Sequence, residues 1–130
     1  MDKFKIGDEL EKDSFVIRKK KLAELPPDTC LLELIGEIDL YTVDLIRQFT
    51  NNIIQEGFKK ICIQMSEVYY IDSSGLGFFL KLHMQVKSSP GYVRIVAPSK
   101  EVSNVLELTK LSKILLKFPN LSAALRRPIF

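Results

Sequence analysis

From residue 15 onward, apolar positions along the chain follow two alternating rhythms. Runs dense in aliphatic and β-branched residues read as strands: Phe15-Val16-Ile17-Arg18, Cys30 to Gly36, Ile61 to Met65, Tyr92 to Val96 and Ile114 to Phe118. Between them apolar residues recur every three or four positions. Val43, Ile46, Phe49, Ile53 and Ile54 stripe a helix from about Tyr41 to Gln55, which Gly57 stops. Leu76 to Val86 carry a second helix, Pro98-Ser99 opens a third with Val102, Val105, Leu106 and Leu108, and Asn120 to Arg127 form a short last one. Pro26-Pro27-Asp28 and Ser88-Ser89-Pro90-Gly91 mark turns.

Strands alternating with helices predict an α/β layer structure, with helices packed on a mainly parallel central sheet. Residues 1–14 mix acidic and basic side chains with little periodicity and are expected to form an N-terminal arm ahead of one domain over 15–130.

Composition adds few constraints. At 130 residues with 46% hydrophobic and 27% charged content, the chain is long enough to bury a core and lacks the bias of a disordered segment. No apolar run approaches the roughly 20 residues of a membrane helix and no signal-peptide block opens the chain, so a cytoplasmic setting without membrane contact is expected. The net charge of +3 is scattered apart from Arg18-Lys19-Lys20-Lys21, which argues against direct nucleic-acid binding. Cys30 and Cys62 each lie inside a strand-like run and read as small buried hydrophobes.

The candidate chemistry lies in Ile71-Asp72-Ser73-Ser74-Gly75-Leu76-Gly77, where a strand gives way to a helix. Asp and Ser at such a start are common helix caps. The first-turn amides have no partner within the helix, so a phosphate on either hydroxyl would meet them. The apolar arc of the following helix is broader than one sheet face covers. Phe78 falls at its margin beside Lys81 and Gln85, which suggests a partly exposed aromatic in a protein contact.

A hydrolase reading fails on several counts. His83 is the single histidine and falls on the same helical face as Leu76, Phe79 and Leu80, as a core-edge residue does, and the glycine two positions before an elbow nucleophile is missing. Gly75 and Gly77 complete neither a dinucleotide fingerprint nor a P-loop, and no His, Cys, Asp or Glu cluster has metal-ligand spacing, so neither cofactor nor metal is expected.

Two segments carry a family resemblance. Leu34-Ile35-Gly36-Glu37-Ile38-Asp39 resembles a Leu-x-Gly-Glu-Leu-Asp turn, and Ile71 to Gly77 resembles a phosphorylation motif, both of the STAS domain and within it of the single-domain anti-anti-sigma factors, or anti-sigma factor antagonists. The resemblance implies a four- or five-stranded, mainly parallel sheet with helices on one side and a binding protein that is not an enzyme. It also implies a switch. A partner anti-sigma factor, itself a serine kinase, would bind the bare form and phosphorylate Ser73; the phosphorylated form would let go until a serine phosphatase resets it. Asp39 and Asp72 would lie at the partner-facing end, with Ser74 and Gly75 shaping the helix start. The alternative is a constitutive STAS scaffold or subunit of a larger signalling assembly.

Overall fold

The computed structural model describes residues 3–6 and 9–129. Its elements run β1 (Lys3–Ile6), β2 (Glu9–Lys12), β3 (Phe15–Lys20), β4 (Thr29–Ile38), α1 (Val43–Gln55), β5 (Lys60–Ile71), α2 (Ser73–Lys87), β6 (Tyr92–Val96), α3 (Lys100–Leu108), a 3-10 turn (Leu111–Lys113), β7 (Lys117–Phe118) and α4 (Leu121–Arg126). All seven strands form one sheet in which spatial order follows chain order. β1 to β4 pair antiparallel as successive hairpin-type neighbours, and β4 to β7 pair parallel across α1, α2 and the α3 segment.

That topology explains where the helices lie. Right-handed crossovers that always step in one direction along a sheet deliver their helices to the same face. Cys30, Leu32 and Leu34 of β4 and Ile61, Ile63 and Met65 of β5 accordingly share one core with Leu45, Ile46, Phe49 and Ile53 of α1, Phe79, Leu82 and Val86 of α2, and Val102 and Leu106 of α3. The alternate residues Leu31 and Cys62 point to the opposite face, where Ala124, Leu121 and Leu125 of α4 close a smaller cluster with Tyr92 and Val96. Three helices thus cover one side as expected, and the short fourth helix covers part of the other.

Two expectations need correction. The sheet has seven strands rather than four or five, and the segment over 1–14 contributes two of them. The physical reason is visible at Leu10, which turns into the core at 3% exposure. Burying a leucine fully contributes about 1.5–3 kcal/mol. Arg18 of β3 then reaches Glu9 of β2 at 3.1 Å and Glu33 of β4 at 3.2 Å, a cross-strand charge pair on each side that adds register more than energy at this exposure.

β5 is also longer than the apolar run Ile61 to Met65 suggests. Its pairing with β6 ends at Gln64↔Val96, but its pairing with β4 continues to Ile38↔Ile71 through two register shifts. One shift lies at Gly36, whose φ of +118° is costly for any residue with a side chain. β4 runs past Gly36 to Ile38, with Gly36 paired to Val68. Beyond β6, β4 and β5 project as a ribbon tied back by the Ser99 amide, which donates to Met65 O at 3.0 Å, and by the Ser99 hydroxyl, which donates to Val68 O. The ribbon ends at Ile38 and Ile71, and both sequence motifs sit on its tip.

Candidate functional site

At that tip Asp72 holds the two motifs together. Its own amide donates to Ile38 O at 3.0 Å, and its backbone is extended, so the chain leaves the strand there and enters α2 one residue later. Its carboxylate Oδ1 accepts the amides of Ser74 at 3.0 Å and Gly75 at 3.1 Å and the hydroxyl of Ser74 at 2.5 Å. Burial, the largest single influence, pushes the Asp72 pKa up. The donors outweigh it and hold the carboxyl below its ordinary value: first the Ser74 hydroxyl, then the amides of Gly75, Ser74 and Leu40.

This alters one expectation. Two of the first-turn amides anticipated as phosphate donors, those of Ser74 and Gly75, are already taken by Asp72. Ser74 is engaged as well, whereas Ser73 is exposed and its hydroxyl has no hydrogen bond among the described residues.

Gly75 is buried against the ribbon. A Cβ there would lie 2.6 Å from Ile38 Cγ2 and 3.0 Å from Ile71 Cγ1, so only glycine lets α2 start this close to the strands. Asp39 closes the other side of the tip. Its Oδ1 accepts the amides of Tyr41 at 2.9 Å and Thr42 at 3.0 Å, while the Thr42 hydroxyl donates to Glu37 O at 2.9 Å. The β4–α1 loop is thereby fixed beside Asp72, and both aspartates lie at one end of the molecule.

Phe78 lies farther along α2, half-buried, edge-on to Phe79 with ring centroids 5.4 Å apart, and under the Arg47 guanidinium at 5.6 Å. It lines a groove of about 470 Å³ between α1 and α2 together with Ser73, Ser74, Arg47 and Lys81. The structure therefore brings Ser73, Ser74 and Phe78 onto one groove, while Asp72 and Gly75 hold the start of α2 against the ribbon tip and Asp39 lies in the adjoining loop outside the groove.

Sequence reasoning missed the part of the apolar rim that Leu40 and Tyr41 form. Leu40 is 65% exposed and Tyr41 81%, and Tyr69 and Tyr70 on β5 are about half exposed. Tyr41 and Tyr69 join Asp39 in lining a second hollow of about 430 Å³, whose far wall is Lys12 to Phe15 from the N-terminal strands. The signal was available. Two large apolar residues directly after the Asp39 turn have no helical or strand partner to bury them.

His83 lies ten residues along α2 from Ser73, roughly 15 Å at 1.5 Å per residue. Its Nδ1 accepts the Val93 amide at 3.0 Å, a structural tie between α2 and β6. Cys30 and Cys62 are buried and in no disulfide, one on each face of the sheet. Among the described residues no group of acidic, cysteine or histidine side chains is arranged to hold a metal. No described helix is long and apolar enough to cross a membrane.

Residues 20–124 match the STAS domain family. The chain belongs to that family. An anti-sigma-B factor antagonist of Staphylococcus aureus is 28% identical over 80 residues, covering 62% of this chain and 74% of its own. A crystal structure of a provisionally assigned anti-sigma factor antagonist from Thermotoga maritima superposes with a TM-score of 0.72 at 27% identity, covering 78% of this STAS chain and 88% of that one. The unphosphorylated anti-sigma factor antagonist SpoIIAA, at 22% identity and a TM-score of 0.69 over 85% of this chain and 94% of its own, shares the STAS fold.

Proposed function

We propose that this STAS protein is a non-enzymatic anti-sigma factor antagonist. It binds an anti-sigma factor with serine-kinase activity while Ser73 is bare, and releases it once Ser73 carries phosphate; a serine phosphatase restores the binding form. The observation that carries the reading is the unequal state of two neighbouring serines. The Ser74 hydroxyl is spent on Asp72 at 2.5 Å, while the Ser73 hydroxyl is exposed at the head of the α1–α2 groove. An acceptor must reach a kinase, and Ser73 meets that condition.

The exposed rim of Leu40, Tyr41, Tyr69 and Tyr70 supplies the apolar and aromatic contact area that protein interfaces favour. Asp39, Asp72 and Phe78 complete the docking surface.

Charge explains the release. A phosphoserine brings a charge of about −1.5 to −2 to the residue beside the Asp72 carboxylate, whose oxygen already holds the nearest amides. The helix therefore keeps its cap and survives. The partner surface must instead desolvate a new anion, and a penalty near 3 kcal/mol corresponds to about 100-fold in affinity.

The test uses a candidate anti-sigma factor as ligand. Ser73→Ala is expected to bind like the native chain and to resist phosphorylation, Ser74→Ala to remain a substrate, and Ser73→Asp to bind about 100-fold more weakly. Equal affinities for Ser73→Ala and Ser73→Asp refute the switch and leave a constitutive scaffold.

A further inference from the structure

The far end of α2 carries a third concavity, which the serine switch does not use. It has a volume of about 350 Å³ and lies where the end of α2, β6, the 3-10 turn and the segment after α4 converge. Its charges are of one sign. Among the described residues Lys87, Arg94, Lys113 and Arg127 line it together with His83, and no aspartate or glutamate does.

None of Lys87, Lys113 and Arg127 is ion-paired with a carboxylate among the described residues. Arg94 is 4% exposed and, among the described residues, held without any acid. Its Nη1 donates to Ala124 O and Arg127 O, both at 2.7 Å, its Nη2 donates to Pro128 O at 3.0 Å, and its guanidinium lies 3.7 Å from the Tyr92 ring centroid. A cation fixed in the wall of a cleft, with further cations around the mouth and little water behind them, focuses positive potential into the opening.

The rest of the lining is apolar. Ile114 and Ile129 are 41% and 39% exposed there, next to Leu116 and Pro90. We propose that this pocket binds a small organic anion, its carboxylate or phosphate head among Lys87, Lys113 and Arg127 and its apolar body on Ile114, Leu116 and Ile129. The volume falls at the small end of ligand pockets, which run from roughly 300 to 1,000 Å³, so the occupant is a short-chain anion and not a nucleotide. Ser73 and Lys87 stand fourteen residues apart on one helix, roughly 20 Å, which separates this site from the switch.

His83 is the reporter. It is the chain's single histidine, so its imidazole resonances need no assignment. Burial, then the Lys87 and Arg94 cations, hold its pKa below the ordinary value. A bound anion opposes Lys87, Arg94, Lys113 and Arg127 together and moves the His83 titration to higher pH.

The experiment titrates the full chain with hexanoate and with hexyl phosphate, against hexanol and inorganic phosphate, and follows the imidazole by NMR. A saturable shift with either organic anion, at least about tenfold tighter than with hexanol or inorganic phosphate, supports the site, and the stronger of the two identifies the head group. Lys113→Gln/Arg127→Gln, both exposed side chains, should weaken it about tenfold with the amide spectrum otherwise unchanged. The proposal is overturned by the absence of any saturable shift, by a shift that the double variant leaves intact, or by inorganic phosphate alone binding as tightly as hexyl phosphate. Each readout is independent of Ser73 and of any protein partner.

Discussion

Gly75 and Ile38 approach so closely that a methyl group on the first would lie 2.6 Å from Cγ2 of the second. Ile38 is fully buried and β-branched, so its methyl cannot swing away. Gly75→Ala gains up to about 1 kcal/mol of helix propensity but overpacks the tip by about 1–3 kcal/mol. The expected result is net destabilisation in urea unfolding, together with weaker partner binding because Asp72 and Ser73 shift with the helix start. A variant more stable than the native chain refutes this contact.

Asp72→Ala removes the cap of α2 and should cost about 1 kcal/mol near neutral pH. The native carboxyl has a folded pKa below its unfolded value, so its contribution is fully present above the unfolded value near 3.9 and is lost as pH falls through the folded one. The stability gap between native and variant chains is expected to stay level from about pH 8 to 5 and to narrow below about pH 4. A gap that is unchanged down to the acid unfolding limit rules out the charge as its source.

Leu10→Ala distinguishes a loose arm from an integral strand. Leu10 packs in the main core, so truncation should cost about 2–5 kcal/mol and lower the melting temperature. A change within experimental error would mean that β2 adds nothing to the domain.

Cys62 is pushed up to about 11, chiefly by burial, so at pH 8 only about one molecule in a thousand carries the thiolate. Neither Cys62 nor the equally buried Cys30 should react with a thiol reagent until the chain unfolds, and the labelling rate should follow denaturant concentration. Rapid modification of the native protein would contradict the burial of both.

Much of this architecture is legible in the chain because β-strand and helix periods differ sharply around it. Tyr92 to Val96 and the helix of Ser73–Lys87 fall where their apolar spacing places them, with Asp72 as the cap. The N-terminal strands do not announce themselves, since four residues of Glu-Leu-Glu-Lys show one inward position and no period to count. β5 runs on past Met65 because Val68 and Ile71 face inward across exposed Ser66 and Glu67, which look like a strand end when read alone. The motif was visible as residue types, but which serine is free was not. That depends on a carboxylate turning onto Ser74, a choice set by the Asp72 backbone and not by composition.

The sheet grows in the order in which its strands are written. No strand has to be threaded between two that are already joined, so each adds to the edge that its predecessor leaves open. Both strands of the ribbon that carries Ser73 precede it in the chain, so the switch is written directly after its own support.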